Sequence, residues 1–273
     1  MNLLNNGMNK LFDVLLAPVA AWPAVAMLLI AMVTAVWALL LFKAATNQDK
    51  LTVTRDRLFG HIYEMGLYQE HLSVVARIQW ALAKANLRYL SLTLPALLVL
   101  MVPMVLTIAQ LDSRYSLRPL APGEETVFSV TLAEGAAADL SQVRLVAPAG
   151  LQVNAGPIRD AATGSVAWRL AVAETEPYDL AVWNGPEELA QYVVPVGGKL
   201  PAVGERGRAN WLHTLLYPGA PALPGSGEVS AMSINLPARS TRYLGVTLDW
   251  MVAFMIFSLL VGLAIKDVLR VSI

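Results

Sequence analysis

Residues 76–115 read ARIQWALAKANLRYLSLTLPALLVLMVPMVLTIAQLDSRY, and this stretch decides the fold. A basic segment with helical periodicity continues without a turn into an apolar run at 92–111, which is interrupted by Pro95 and Pro103. A helix needs about 20 apolar residues to cross the hydrocarbon of a bilayer. We therefore predict a membrane-spanning helix at residues 92–111, kinked at the two prolines.

The composition is that of a membrane protein. Of the 273 residues, 56% are hydrophobic and 15% are charged, whereas a soluble domain carries about 25% charged residues. The formal net charge is zero, which argues against a nucleic-acid partner because phosphate binding needs a basic excess. The absence of cysteine excludes disulfides and thiolate metal sites.

Two further apolar runs predict two more spanning helices, at residues 18–43 and 246–266. Trp22 and Trp37 lie near the ends of the first run and Trp250 near the start of the second, where indole rings favour the membrane interface. In residues 1–17 the apolar side chains recur at helical spacing and polar side chains lie on the opposite side, which predicts an amphipathic helix in the membrane interface. A secretory signal is the alternative, but Lys10 is nearly alone and the apolar run is too long.

The polar segment at residues 44–91 shows helical spacing of apolar residues on both sides of a weak point near 68–71. It predicts a helical hairpin, formed by two helices or by one bent helix. Orientation follows from lysine and arginine near the ends of the spans, which are enriched on the cytoplasmic side. Nine lie in this segment and its flanks or at the C-terminal end of the chain from residue 266: Lys43, Lys50, Arg55, Arg57, Arg77, Lys84, Arg88, Lys266 and Arg270. Five lie on the other side: Lys10, Arg114, Arg118, Arg239 and Arg242. The hairpin and the tail are therefore predicted to be cytoplasmic, and the N-terminus periplasmic.

Residues 112–198 contain short β-type runs separated by Gly-, Pro- and Asp-rich turns. The runs are TVFSVTL, QVRLVA, SVAWRLAVA, YDLAVW and QYVVPV. This pattern predicts a periplasmic, all-β, immunoglobulin-like sandwich. Residues 199–245 predict a linker, a short surface helix with Trp211 and Tyr217 at its ends, and one more strand. The fold class is thus a three-span helical membrane protein of the bacterial inner membrane that carries an external β domain.

Sequence motifs of catalysis are absent, so we predict neither an enzyme nor a cofactor. The chain has no G-x-S-x-G, no Walker glycine loop and no H-E-x-x-H. His61 and His71 are ten residues apart, which does not match a helical metal site. Glu187 and Glu188 follow a Gly-Pro turn and are interpreted as a solvated hairpin tip.

Four polar residues stand out within or beside the spans. They are candidates for lining a weakly polar groove: Thr34, Thr107, Gln110 and Ser258. The alternative is that these groups bond to their own helix or across helices, as isolated Ser and Thr in membranes often do.

The order of these segments resembles the short, three-span members of the YidC/Oxa/Get membrane insertase superfamily, including the archaeal YidC-like proteins. The resemblance rests on an external N-terminus, one span, a basic cytoplasmic hairpin and a second span entered through AKANLRYLSLTLPALLVLMVPMVLTIAQL. Asn86, Pro95 and Pro103 occupy places corresponding to the asparagine and spaced prolines of that family. The layout is also similar to uncharacterised bacterial three-span membrane proteins with a periplasmic β domain.

Two functions follow as hypotheses. The resemblance implies a groove that faces the cytoplasm and assists the insertion of membrane proteins. The residues expected to contact a client or a ribosome are then Arg55, Arg57, Arg77, Lys84 and Arg88. The alternative is a non-catalytic accessory subunit of a membrane complex, anchored by its spans, whose β domain binds a periplasmic protein. The partners expected are the lipid bilayer and either clients or that complex.

Overall fold

The computed structural model describes residues 2–68, 70–136, 138–198, 200–208, 211–220, 223, 227–243 and 245–271; the side chains of 2–5, 208 and 211 are not described. It combines helices with a region rich in β-sheet. The helices are α1 (Asn2–Leu16), α2 (Pro23–Ala45), α3 (Gln48–Leu67), α4 (Leu72–Tyr115), α5 (Trp211–Leu216) and α6 (Trp250–Ile265). The strands are β1 (Glu125–Leu132), β2 (Val143–Val146), β3 (Leu151–Asp160), β4 (Ser165–Val172), β5 (Tyr178–Asn184), β6 (Glu187–Val194), β7 (Arg206–Arg208), β8 (Val229–Ile234), β9 (Thr241–Tyr243) and β10 (Val246–Leu248).

Two helices, α2 and α4, are long and apolar enough to cross a membrane by length and composition. α2 begins at Pro23, where the missing N–H of proline costs nothing because the first turn has no intrahelical partner. α3 begins after Asn47, whose side chain accepts a hydrogen bond from the Lys50 amide at 3.0 Å. In the polar segment α3 ends at Leu67 and α4 begins at Leu72, so the predicted weak point near 68–71 lies between two helices.

α4 is a single helix of 44 residues that contains both Pro95 and Pro103, and at 1.5 Å per residue it is roughly 66 Å long. α6 begins at Trp250, four residues after the predicted start of the third apolar run. The reason is local pairing, because Val246–Leu248 hydrogen-bond with Thr241–Tyr243 in a two-stranded sheet. The apolar helix that remains has 16 residues.

The chain divides into two compact units. Unit 1 comprises Met1–Ala26 and Leu106–Trp250, and unit 2 comprises Met27–Val105 and Met251–Ile273. Unit 2 is helical. Its buried residues include small side chains on three helices, Ala31 and Ala35 of α2, Ala96 of α4 and Ala253 of α6.

Unit 1 contains the β-sheet region, in which two larger sheets share one hydrophobic core. The five-stranded sheet has the order β3-β4-β1-β8-β7 and the three-stranded sheet the order β2-β5-β6. Core side chains come from both, including Phe128 and Trp168 of the first sheet and Leu180 and Tyr192 of the second. Strands β1, β4 and β5 alternate buried and less buried residues, as strands with one face on a core do.

Six predicted strands are confirmed as β1, β2, β4, β5, β6 and β8. The additional strand β3 was not predicted, because Gly156 and Pro157 interrupt its sequence. It is the outermost strand of its sheet, and proline is tolerated on an edge strand because part of its backbone has no ladder partner. Glu187 and Glu188 are exposed and begin β6, directly after the two-residue turn Gly185-Pro186.

Candidate functional site

A cavity of about 630 Å³ lies in unit 2 among α2, α4 and α6. The lining residues recur every three or four positions on each helix, for example Leu97, Leu100 and Met104 on α4. This spacing places them on one face of each helix. The lining is almost entirely apolar and includes Met104 and Met255, whose flexible thioether side chains adapt to ligands of different shape.

Of the four predicted groove residues, the structure brings two together in this cavity. Thr34 of α2 is buried, and Ser258 of α6 donates a hydrogen bond to the Met255 carbonyl at 3.2 Å. The other two, Thr107 and Gln110, belong to unit 1 and are buried there. The Gln110 amide donates to the Asn9 side chain of α1 at 2.8 Å, so this group bonds across helices.

The basic residues of the hairpin are largely accessible. Arg57, Arg77, Lys84 and Arg88 are exposed, and Arg55 is partly exposed beside Asp56, at 3.6 Å. Spacings of seven and four residues place Arg77, Lys84 and Arg88 on one face of α4. The Lys84 ammonium lies 5.5 Å from the centre of the Trp80 ring, a cation–π distance. Exposed apolar side chains flank this basic stripe, notably Trp80 and Leu87.

The predicted interface anchors occupy different environments. Trp22 and Tyr217 are exposed, and Trp37 is partly exposed eight residues before the end of α2. Trp250 is only 8% exposed, and its indole N–H donates to the Ser116 hydroxyl at 2.9 Å. The Trp211 side chain lies outside the described ones.

A buried arginine, Arg114, holds the last turn of α4. In the sequence it counted only among the charges that indicate the orientation in the membrane. Arg114 is 1% exposed. Its guanidinium is 2.8 Å from an Asp13 carboxylate oxygen of α1 and donates to the carbonyls of Asn9 at 3.3 Å and Leu200 at 2.9 Å. The Phe12 ring lies 5.9 Å away. Helical spacing in α1 places Asn9, Phe12 and Asp13 on the face that receives this charge, but the sequence gives no sign of the partner.

Within the described ranges, no three His, Asp or Glu side chains lie where they could hold a metal ion together. His61 instead lies 3.1 Å from Glu64 on the surface of α3. No family model, no curated protein and no solved structure matches the chain.

Proposed function

We propose that the chain is an inner-membrane protein of the insertase type, in which the unit 2 cavity receives an apolar segment of a client protein. The main observation behind this proposal is the cavity. Its volume lies within the range of about 300–1,000 Å³ that is typical of binding pockets. Leu97, Met255 and Leu259 line it and are also exposed on the surface, so a client helix can approach from the side.

The exposed apolar surface of unit 2 supports a location in the bilayer. Large apolar side chains are exposed along α2, α4 and α6, among them Met32, Leu98, Val102 and Leu260. In water, a continuous apolar surface on this scale would be a strong aggregation liability. In hydrocarbon it is the expected surface of a spanning helix, so α6 is proposed as the third span.

The proposed orientation places α1 and the β region outside the cytoplasm. α1 supports this proposal because Asn9 and Asp13 contact Gln110 and Arg114 at the end of α4. Nine residues separate the end of α4 from the start of β1, so α1 and the β region belong to the same end of that helix. The basic stripe of Arg77, Lys84 and Arg88 precedes the apolar run and is proposed to contact a client or a ribosome on the cytoplasmic side.

The β region is proposed to be an immunoglobulin-like sandwich. Taking β1 to β6 as strands B to G gives one sheet with the order D-E-B and one with the order C-F-G, the order of that fold. β8 lies beside β1, in the place of strand A. Tyr178 begins β5 and its hydroxyl accepts a hydrogen bond from the Glu174 amide at 2.8 Å, the arrangement of the tyrosine corner on strand F.

Photo-crosslinking tests the insertase function. A photoreactive amino acid replaces Met104 in the cavity or, as the matched control, Val102, which is 63% exposed on the same helix and does not line the cavity. We expect a nascent single-span membrane protein to crosslink from position 104 well above the level from position 102. Equal labelling from both positions would contradict a binding role for the cavity.

A cavity-filling variant adds a functional measurement. Nothing lies within 4 Å of the Cβ position of Gly262, so Gly262→Phe fills the cavity without a backbone clash. Ala264→Phe adds the same ring to an exposed position of α6 outside the cavity. After depletion of the native protein, Ala264→Phe should restore the inner-membrane proteome and Gly262→Phe should not. If both restore it, or if depletion changes no membrane protein, the accessory-subunit function is favoured.

A further inference from the structure

A second cavity, of about 530 Å³, lies in unit 1 beside the end of α4. One wall is formed by the last turn of α4 and the residues after it, including Asp112 and Ser116. The facing wall is formed by Glu205 and Arg206 at the start of β7 and by α5 with its following turn. The lining is mixed in charge, with two carboxylates and a guanidinium, unlike the apolar cavity of unit 2.

The facing wall is fixed by direct backbone contact between two segments. A Cβ atom at Gly219 would lie 2.5 Å from backbone atoms of Val203, and one at Gly204 would lie 2.7 Å from the Ala220 nitrogen. Only glycine allows this approach, so the wall is held in a defined shape. The Val203 amide also donates to the Ser113 carbonyl at 2.7 Å, which ties this wall to α4.

Both carboxylates are held by neighbouring groups. The Ser116 hydroxyl donates to Asp112 and accepts from the Trp250 indole. One Glu205 carboxylate oxygen accepts from the Leu236 amide at 3.4 Å. Each carboxylate has further lone pairs that can accept from a ligand. Asp112, which is partly buried, and Glu205, which is exposed, therefore place two acceptors in the lining, and the exposed Arg206 adds a guanidinium.

The cavity also adjoins the C-terminal end of α4. Ser116 directly follows α4, and its partner Trp250 is the first residue of α6. In the proposed membrane arrangement this end of α4 lies at the outer surface of the bilayer, where lipid headgroups are located.

We propose that this cavity binds a phosphoethanolamine headgroup, a ligand that carries a primary ammonium and a phosphate. The ammonium donates to Asp112 and Glu205, and its third N–H faces the Ser116 hydroxyl. The phosphate pairs with Arg206, because guanidinium–phosphate contacts are strong, charge-assisted hydrogen bonds. Tyr217 and Leu117 provide apolar walls for the ethylene and glycerol carbons. The assignment to a lipid rests on the proposed membrane location.

Binding is measured with the full-length protein in detergent by calorimetry, using glycerophosphoethanolamine as the probe. Glycerophosphocholine is the matched control, because its quaternary ammonium has the same charge but no N–H donors. We expect the ethanolamine probe to bind at least about tenfold tighter, which corresponds to about 1.4 kcal/mol. Equal affinity for the two probes, or no binding of either, would overturn the proposal.

Variants locate the site. Asp112→Asn and Glu205→Gln should each weaken binding of the ethanolamine probe by about tenfold or more, since each removes a charged acceptor of the ammonium. Arg206→Gln should weaken both probes alike. Glu187→Gln, an exposed carboxylate on the β5–β6 turn, is the control and should bind as the unaltered protein does. Unchanged binding in the Asp112 and Glu205 variants would overturn the assignment.

A measurement in lipid bilayers distinguishes the two possible ligands, a membrane lipid and a free headgroup. Protein in nanodiscs of phosphatidylethanolamine should gain thermal stability over protein in phosphatidylcholine, and Asp112→Asn should abolish the difference. If the soluble probe binds but the two lipids give equal stability, the ligand is a free headgroup and the lipid assignment is wrong. Neither measurement depends on client crosslinking. A negative result for headgroup binding would therefore leave the insertase proposal to be decided by its own experiment.

Discussion

Replacing Asp13 with asparagine tests the role of the buried arginine at the end of α4. Asp13 is 61% exposed, and by exposure alone its substitution would change the free energy of unfolding by less than about 0.5 kcal/mol. Its partner Arg114 is 1% exposed, however, and the two charged atoms are 2.8 Å apart. Asparagine keeps the size of the side chain and removes the charge that compensates a buried guanidinium.

The magnitude lies between two limits. Surface ion pairs contribute about 0–1 kcal/mol, whereas removing one partner of a fully buried pair costs about 3–5 kcal/mol. Because Asp13 is hydrated but Arg114 is not, we expect Asp13→Asn to cost about 2–3 kcal/mol. Arg114→Met also loses the bonds to the Asn9 and Leu200 carbonyls. The double variant should cost clearly less than the sum, because without the arginine Asp13 has no partner to lose.

The assay is thermal unfolding in detergent, followed by tryptophan fluorescence. For a protein of this size 1 kcal/mol shifts Tm by about 2–4 °C, so Asp13→Asn should lower Tm by roughly 4–12 °C. Asp179→Asn, at another exposed aspartate on β5, is the control and should leave Tm nearly unchanged. The reasoning is refuted if Asp13→Asn behaves like this control, or if the single effects of Asp13→Asn and Arg114→Met simply add.

Two predictions concern the β region. Tyr178→Phe should lower the free energy of unfolding by about 0.5–1.5 kcal/mol, because it removes the hydrogen bond that the Glu174 amide donates to the hydroxyl; an unchanged urea midpoint would contradict this. Hydrogen bonds from the Arg118 guanidinium and the Ala121 amide lower the pKa of Glu124 from 4.5 to about 2, so this contact stabilises the folded state above pH 4.5 and its contribution is lost as the pH falls toward 2. Urea unfolding between pH 5 and 2.5 should therefore show a shallower decline in stability for Glu124→Gln than for the unaltered protein, and parallel curves would refute the link.

Alternating apolar and polar residues predicted the strands that have one face on the core and the other face away from it. The alternation of residue types in SVAWRLAVA and YDLAVW was enough to predict β4 and β5, because each strand has one face on the core. β3 was missed because Gly156 and Pro157 interrupt its sequence, and because nine of its ten residues are exposed, its apolar residues do not mark a core face. Its pairing with β4, including the shifts in register near Ala155, is a tertiary property.

Polar residues near the spans were harder to interpret from the sequence. Thr34 and Gln110 looked equivalent as isolated polar groups, yet the first lines the apolar cavity and the second bonds to Asn9, 101 residues away. Arg114 looked like a charge at a membrane surface, whereas its partners lie on α1 and at Leu200. The spacing of residues shows which face of a helix a side chain occupies. It does not show which distant part of the chain packs against that face.

The burial of the end of α4 also sets the length of helix available to lipid. From Ala109 to Tyr115, every residue except Asp112 is buried, so protein surrounds this part of the helix on nearly all sides. The apolar length that remains, residues 92–108, is roughly 25 Å at 1.5 Å per residue. α6, with 16 residues, is roughly 24 Å long. If both helices cross the membrane as proposed, each is shorter than the hydrocarbon core of about 30 Å. Because two helices that line the same cavity share this mismatch, the bilayer should be thinner beside the cavity, and the barrier to an entering client segment should be lower there.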